Sequence, residues 1–557
     1  MKHHILLLSS LILLASCSDV LDKSNLSAVP EDKVWNDANY ATAYVNKLCR
    51  DNLPGWDNDV SGNSDEANGG TSILYGQLLT SSIDVWNYTN IRNINIFLDN
   101  IETGTIEEET RNKLKAQVKV LRAWKYFEMV RVYGGVPIID KAQSLSDDLY
   151  VSRNKTSECI DFIIKDLDEA VAYLPWQWTG DDLGRVSKAA ALALKARILL
   201  YYASPQFNPN KDKGRWEKAY EANRIAKEEL EKNGYGLYAD YENFWFDEMN
   251  EEVVFGKRYQ EPGLEHNWQA ATRPLDESQN ATGCNQPSLE MVNSYPMING
   301  KPITDSESGY DPVIYWENRD PRFKASIVYN GCLWELSGKS GRKQWTFVGG
   351  ELNSPTATGF YCRKAVKASN TPYFAEHGST DWVEIRFAEV LLNYAECATE
   401  MDKLSEAYEI LKRIRNRAGI LPGDNGMYGL EENMNAEQML DAIMLERKIE
   451  FAFEGKRYWD LRRRRLFADE LNGTKRHGVY PILNMNKEEF LKIESSIDLN
   501  KEYSTFFRDS IVELDKIFTI DFKDNYYFYA LPIKHLEANS KLEQTQGWDN
   551  GTFNPYE

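Results

Sequence analysis

The sequence predicts a mainly α-helical protein, built from tetratricopeptide-like helix pairs that carry a loop-rich, irregular binding region. Apolar residues recur every three or four positions in several long segments, as one buried helix face requires. Two such segments are separated by only about three residues, which favours an antiparallel helix pair. Residues 235–382 lack the helical period and are rich in Gly, Pro, Asn and aromatic residues.

The first helical block covers residues 38–234. A periodic apolar face runs from Leu114 to Val130, and a second runs from Ile160 to Leu174 before Pro175 ends it. The segment 187–203 is rich in alanine, which lets two helix backbones approach closely. A further helix is predicted over 216–231, and Gly234 ends it.

The second helical block covers residues 383–470. Helices are predicted over 386–400, 404–418 and 436–454. Helix pairs of this length resemble tetratricopeptide repeats, although no repeated consensus is visible, so the repeats are degenerate.

The irregular region 235–382 is predicted to hold the ligand. Its strand candidates are short, at 252–255 and 325–329. A long irregular stretch in a compact domain is uncommon unless it is functional or disordered, and its aromatic content argues against disorder. With the C-terminal segment 471–557, these regions form a single predicted domain over 38–557.

The composition excludes some partners. The formal net charge of −20 argues against nucleic acid, which clustered Lys and Arg bind, and against direct adhesion to anionic lipid. The basic run at 462–465 is interpreted as a solvated helix end paired with nearby acids.

The N-terminus predicts the compartment. Residues 5–14 form an apolar run that is too short to span a bilayer but suits a signal peptide. Leu14-Ala15-Ser16-Cys17 resembles the bacterial lipobox, in which the cysteine is acylated. We therefore expect a signal peptide at 1–16, a lipidated Cys17 and a tether over 17–37, so that the membrane is contacted through the anchor alone. The alternative is an ordinary secretory signal with a chance cysteine.

Motifs for catalysis and metal binding are absent from the sequence. It has no HExxH, GxSxG, P-loop or CxxC pattern, and paired carboxylates carry no information among 85 Asp and Glu. Spacing leaves open whether the six cysteines other than Cys17 are thiols or disulfides. No cofactor and no metal site is predicted. The sequence leaves open whether one acidic cluster binds a structural calcium ion; the cluster consists of Asp57, Asp59, Asp65 and Glu66.

Several motifs, in this order along the chain, resemble those of the SusD/RagB family over nearly the whole mature sequence. Lys534 and Thr545 depart from the family's usual Pro and Asn. The segments are 91–95 (IRNIN), 121–127 (LRAWKYF), 133–137 (YGGVP), 184–194 (GRVSKAAALAL), 319–323 (RDPRF), 386–396 (RFAEVLLNYAE), 446–463 (ERKIEFAFEGKRYWDLRR), 531–533 (LPI) and 544–548 (QTQGW).

The resemblance implies a non-enzymatic lipoprotein of the outer membrane that faces the cell exterior. Such proteins bind a glycan or oligosaccharide, or a peptide in the RagB branch. They act as a lid on a SusC-type TonB-dependent transporter. A surface glycan hydrolase and a protein–protein scaffold are the alternative functions. Eight charged residues of these motifs lie among apolar neighbours, and we interpret them as buried or half-buried ion pairs that join helices, since an unpaired buried charge is costly. They are Arg386, Glu389, Glu396, Glu446, Arg447, Glu450, Glu454 and Arg457.

Aromatic residues outside the scaffold are the candidate ligand contacts, because a flat ring can cover the apolar face of a sugar. Trp86 is the first candidate, since related proteins often place a binding aromatic just before the 91–95 motif. The further candidates in the irregular region are Trp268, Arg273, Tyr295, Tyr315 and Trp316.

Overall fold

The computed structural model describes residues 31–351 and 355–557. The predicted signal peptide and Cys17 lie outside these residues. The helices of the first part are α1 (Glu31–Asn36), α2 (Ala38–Asn52), α3 (Thr71–Leu74), α4 (Tyr88–Asn100), α5 (Glu108–Tyr133), α6 (Thr156–Val171), α7 (Lys188–Ala203) and α8 (Lys213–Lys232). Those that follow are α9 (Trp268–Thr272), α10 (Leu289–Ser294), α11 (Pro321–Ser326), α12 (Pro372–Glu376), α13 (Phe387–Glu400), α14 (Leu404–Ala418), α15 (Ala436–Glu450), α16 (Arg457–Arg463), α17 (Lys487–Ile493), α18 (Leu499–Phe506) and α19 (Ile533–Ala538).

Strands are few and short, and in the described part they form antiparallel pairs. The pairs are β1 with β6, β2 with β5, β3 with β4, and β7 with β8. Their bounds are β1 (Val253–Lys257), β2 (Ile327–Val328), β3 (Cys332–Leu333), β4 (Lys343–Gln344), β5 (Tyr361–Cys362), β6 (Trp382–Arg386), β7 (His477–Leu483) and β8 (Phe507–Glu513).

The helix pairs form from local signals. Ser187 caps α7 by accepting the N–H of Ala190 at 3.2 Å, and the alanines of α7 let it pack closely on α8. Gly419 ends α14 in a left-handed conformation with φ of 86°, which favours glycine. α5 packs on α6, α7 on α8, and α13 on both α14 and α8. The predicted fold class, mainly α with helix pairs and a loop-rich region, is confirmed.

Two large apolar cores divide the molecule. The first joins α2, α4–α8 and α13–α16. The second lies in the loop-rich region and is dominated by aromatic rings. β1 and β6 lie where the chain enters and leaves this region, and they pair with each other. The loop-rich region therefore begins and ends at one two-stranded sheet, which contacts α7.

A buried ionic network joins the loop-rich region to the scaffold. Arg386 contacts Glu252 at 2.6 Å, Glu450 at 2.6 Å and Glu454 at 2.9 Å. Arg322 of α11 contacts Glu450 of α15 at 2.8 Å. The network consists of basic and acidic side chains that form ion pairs with one another. The basic residues are Arg322, Lys364, Arg386, Arg415 and Arg417, and the acidic residues are Glu252, Asp320, Glu446, Glu450 and Glu454. This arrangement agrees with the structural interpretation of the charged motifs.

Three sequence predictions need correction. The tether was expected to reach residue 37, but 31–36 form α1 and Trp35 is buried against Phe97. The basic run does pair with nearby acids, as Arg463 does with Glu396, but it is not a solvated helix end, since Arg462 and Arg463 are fully buried. The strand expected at 325–329 is shorter, since α11 continues to Ser326.

Candidate functional site

Five of the six predicted ligand contacts are side chains of the loop-rich core. Tyr295 is completely buried and packs edge-on against Phe323. Trp316 stacks on Tyr329 at 4.8 Å, and its indole N–H donates to Asn500 at 2.8 Å. The buried set is Trp268, Arg273, Tyr295, Tyr315 and Trp316, each at most 7% exposed. Their surfaces are covered by protein in this structure, and their role as ligand contacts stays a prediction.

Arg273 has a positioning role. Its guanidinium donates to the backbone carbonyls of Asn370 at 2.7 Å and Lys367 at 2.5 Å. These carbonyls lie just before α12. Burial lowers the pKa of Arg273 to about 10, so the group stays charged at neutral pH. Arg273 thus fixes the loop that leads into α12.

Trp86 is half-buried and packs against the core of the helical scaffold. Its ring stacks on His535 at 5.1 Å and lies 4.9 Å from Tyr88. His535 is itself held by Asp84 at 2.9 Å. One face of Trp86 is therefore occupied by protein, and its role in ligand binding stays a prediction.

An aromatic surface lies where three loop segments meet; it is exposed at Tyr373 and Phe374 and half-buried at its other rings. We define the aromatic face as Trp56, His266, Tyr373, Phe374 and His377. Trp56 stacks on His266 at 4.9 Å, and His266 pairs with Gly378 through backbone hydrogen bonds. Only glycine fits at 378, because an added Cβ would lie 2.9 Å from the His266 ring. The segments around residues 56, 266 and 377 are thus held in one continuous surface.

The most exposed rings of this face belong to α12. Tyr373 is 49% exposed and Phe374 is 46% exposed. The two rings meet edge to face at 5.3 Å, and Tyr373 also contacts His377 at 4.5 Å. Paired exposed rings on an irregular surface are unusual for a side of the protein that faces only water, and they suit an apolar or ring-shaped ligand.

Polar groups surround these rings. His377 pairs with Glu265 at 2.7 Å, and Asn280 donates to Glu376 at 2.7 Å. Asn58 donates to Asn267 at 2.8 Å beside Trp56. Amide and carboxylate groups next to rings give directional hydrogen bonds beside an apolar contact, which is the combination that a sugar requires.

The aromatic face carries little fixed positive charge of its own. Burial lowers the pKa of His266 to about 4, so this ring is neutral under physiological conditions. Burial and the neighbouring Asp57 raise the pKa of Asp59 above its ordinary value. The face therefore favours neutral ligands over strongly anionic ones.

One acid of the cluster considered for calcium, Asp65, is used by protein cations. Asp65 pairs with Lys448 at 2.8 Å and Arg457 at 2.9 Å. Across 31–351 and 355–557, no three His, Cys, Asp or Glu side chains are grouped so as to hold a metal ion. The six cysteines that the structure describes are free thiols.

Sequence reasoning missed Trp56, Tyr373 and Phe374. Trp56 follows Pro54-Gly55, and the two rings of α12 follow Pro372, so each lies next to a turn signal. The nearby Trp268 was predicted, and it lies beneath the face, 4.7 Å from Trp56. The sequence signal therefore indicated a residue next to the aromatic face but not its exposed rings.

A scaffold of helix pairs that presents exposed rings on irregular loops is typical of the class of α-helical ligand-binding proteins. The model of the SusD family matches residues 250–548, more than half of the sequence, and the chain belongs to this family. A second model, starch-binding associating with outer membrane, matches residues 22–200. The resemblance drawn from the motifs is thereby confirmed.

Individual relatives agree with this membership. A SusD-like protein of Formosa agariphila, P2, is 25% identical over 422 residues, which cover 73% of this chain and 75% of that protein. A SusD-like crystal structure from Bacteroides fragilis superposes with a TM-score of 0.76 at 26% identity, covering 94% of this chain and all of the other. A SusD-like carbohydrate-binding protein from the same species reaches a TM-score of 0.72 at 21% identity, with coverage of 92% and 100%.

Among the described residues, no helix is both long enough and apolar enough to cross a bilayer.

Proposed function

We propose that this protein binds a glycan or oligosaccharide at the cell surface and delivers it to a transporter without chemical change. The observation that carries the proposal is the exposed pair Tyr373 and Phe374, set among Asn, Glu and His side chains. Each ring that covers a sugar face contributes about 1–2 kcal/mol, at about 25 cal/mol per Å² of apolar area. The carbohydrate-binding relative from Bacteroides fragilis supports the choice of a glycan.

The proposed partner is a SusC-type TonB-dependent barrel in the outer membrane, on which this protein acts as a lid. The family description that mentions the outer membrane supports this location. Cys17 would carry the lipid anchor, with the binding loops facing the cell exterior. Detergent pull-down of the full chain from native membranes is expected to recover one barrel protein. Recovery of the chain alone under mild detergent would contradict the partnership.

The binding test compares the double variant Tyr373→Ala/Phe374→Ala with wild type on a glycan array, followed by calorimetry on the best ligand. The loss of both rings is expected to weaken binding by at least about tenfold, since 1.4 kcal/mol corresponds to a factor of ten. The matched control is Tyr173→Ala, because Tyr173 is equally exposed (51%) but lies on the scaffold. Equal affinity in the double variant and wild type would remove the aromatic face from the proposal.

The same array separates the alternatives. If the natural ligand is a peptide, as in the RagB branch, the protein would bind no glycan on the array. A surface hydrolase would release shorter products from its glycan over hours, and we expect none. Trp86→Ala is included as a further variant, since Trp86 remains a predicted contact; weaker binding there would add a second contact to the site.

A further inference from the structure

A cavity lies on the scaffold side of the loop-rich region, apart from the aromatic face. It has a volume of about 300 Å³ and is bounded by the N-terminal end of α7, by β1 and by the start of β6. This volume is at the lower end of the roughly 300–1,000 Å³ that small-molecule sites occupy. The cavity therefore suits a compact molecule rather than a polymer chain.

Aromatic rings form much of the wall. The rings are those of Trp178, Tyr235, Phe244, Trp245, Phe255 and Trp382. Trp245 and Trp382 also contact Trp56, with ring centroids 5.3 Å and 5.0 Å apart. One aromatic cluster thus has the cavity on one side and the aromatic face on the other.

Charged groups at the cavity are paired with each other. Arg258 contacts Asp381 at 3.1 Å and Glu248 at 3.6 Å. Asp381 also accepts the backbone N–H of Tyr259 at 2.7 Å. Gly184 makes room for Arg258, because a Cβ at 184 would lie 2.4 Å from the arginine Cδ. The pair is therefore held in place at the cavity wall.

The charges that line the cavity balance. The cations are Arg185, Lys257 and Arg258, and the acids are Glu248, Glu251 and Asp381. Arg185 is further paired with Asp182 at 2.5 Å. Three cations and three acids leave the lining without a net charge, so a neutral molecule is favoured.

One buried donor at this wall has no partner. Trp245 is 3% exposed, and its indole N–H makes no hydrogen bond to any residue that the structure describes. An unsatisfied buried donor destabilises the folded state.

We propose that this cavity is a second binding site, which takes a neutral polyhydroxylated molecule of one or two sugar rings. Tryptophan rings would cover the apolar faces of the ligand, and the paired Arg258 and Asp381 would bind its hydroxyls. The site does not depend on the glycan binding proposed for the aromatic face, because different side chains carry it.

The test is a fluorescence titration of the full-length chain in a detergent without a sugar headgroup. The probes are glucose, galactose, mannose, xylose, maltose and cellobiose, each up to about 50 mM, at which a site with a Kd of 1 mM is nearly saturated. Because three tryptophans line the cavity, binding is expected to change their emission in a saturable way for at least one sugar.

Two variants assign the signal to the cavity. Ala190 is buried at the cavity wall on α7, and Ala190→Leu fills part of the space. This change is expected to weaken binding at least about tenfold, whereas Tyr373→Ala/Phe374→Ala leaves it unchanged. Asp381→Asn keeps the side-chain shape and is the second variant if Ala190→Leu does not fold; it is expected to weaken binding as well.

The outcomes that overturn the inference are distinct from those for the aromatic face. The absence of saturable binding by all six sugars to folded wild type would overturn it. So would a saturable signal that the cavity variants leave unchanged. Equal glycan-array affinity of wild type and the Tyr373 and Phe374 variant, with the sugar titration intact, would overturn the aromatic face alone.

Discussion

Glu450 illustrates how single buried residues stabilise this protein. Its carboxylate accepts from Arg322 at 2.8 Å, from Arg386 at 2.6 Å, and from Arg417. Burial alone raises a carboxyl pKa, but the guanidiniums of Arg417, Arg386 and Arg322 hold the pKa of Glu450 well below its usual range. Glu450 is therefore ionised and shared among three cations.

Glu450→Gln is expected to destabilise the protein by about 3–5 kcal/mol, because it leaves buried guanidiniums without their counter-charge. Chemical denaturation measures the change. The control is Glu102→Gln at an exposed pair with Lys115, where the expected loss is about 0–1 kcal/mol. Equal stability of the two variants would contradict the structural role of Glu450. Ligand affinity of the folded Glu450→Gln variant is expected to match wild type.

Glu66 predicts a pH dependence of stability. Burial, together with the neighbouring Asp65, raises the pKa of Glu66 from 4.5 to about 8. Its Oε1 accepts the backbone N–H of Phe453 at 3.2 Å. Between pH 4.5 and about 8, the carboxyl group of Glu66 is ionised in the unfolded chain and protonated in the folded chain. The contribution of Glu66 to stability is therefore complete below pH 4.5 and is lost as the pH rises through about 8.

Glu66→Gln removes this titration. The unfolding free energy of the variant, relative to wild type, is expected to rise between pH 5 and pH 8 by on the order of a few kcal/mol. Melting temperatures at the two pH values measure the direction of this change. Asp65→Asn is the matched neighbour and is expected to destabilise at both pH values, because Asp65 pairs with Lys448 and Arg457. A difference between Glu66→Gln and wild type that does not change with pH would contradict the raised pKa.

At the scale of elements, α12 is the short helix that presents the exposed rings. With five residues it has little intrinsic helical stability, so its position depends on neighbouring contacts. It packs on α9, and Arg273, next to α9, holds the two carbonyls that precede α12.

Arg273→Met is expected to weaken ligand binding at the aromatic face several-fold, although Arg273 is buried away from solvent. The methionine keeps apolar packing but loses both hydrogen bonds, so the rings of α12 lose their fixed orientation. Calorimetry on the array ligand measures the effect, and amide exchange at residues 367–376 is expected to increase. Unchanged exchange in that segment would contradict the positioning role even if affinity fell.

The longer elements were predictable because their signals are local. The helices predicted over 404–418 and 187–203 match α14 and α7 within one residue. The helix predicted to reach 454 ends at Glu450, since Phe453 adopts a positive φ of 62°. This turn places Glu454 on Lys364 and Arg386, which no local pattern reveals.

At the scale of the whole molecule, the lipid anchor at Cys17 remains a prediction from the N-terminal motif. Labelled palmitate is expected to be incorporated by wild type and lost in Cys17→Ala, which should leave the membrane fraction. Cys49→Ala is the control, because Cys49 is a free thiol of α2 and should retain the label. Label retained by Cys17→Ala would contradict the anchor.

The sequence by itself determined the helix pairs, the family membership and the structural nature of the charged motifs, because periodicity, caps and motif order are properties of neighbouring residues. The tertiary structure decided which rings are exposed. Trp56 meets His266 and Trp382, which are more than 200 residues away, while Trp268 and Trp316 are buried by contacts that include Trp56 and Tyr503. Burial is a property of packing in space, so composition could indicate an aromatic region but could not separate its core from its surface.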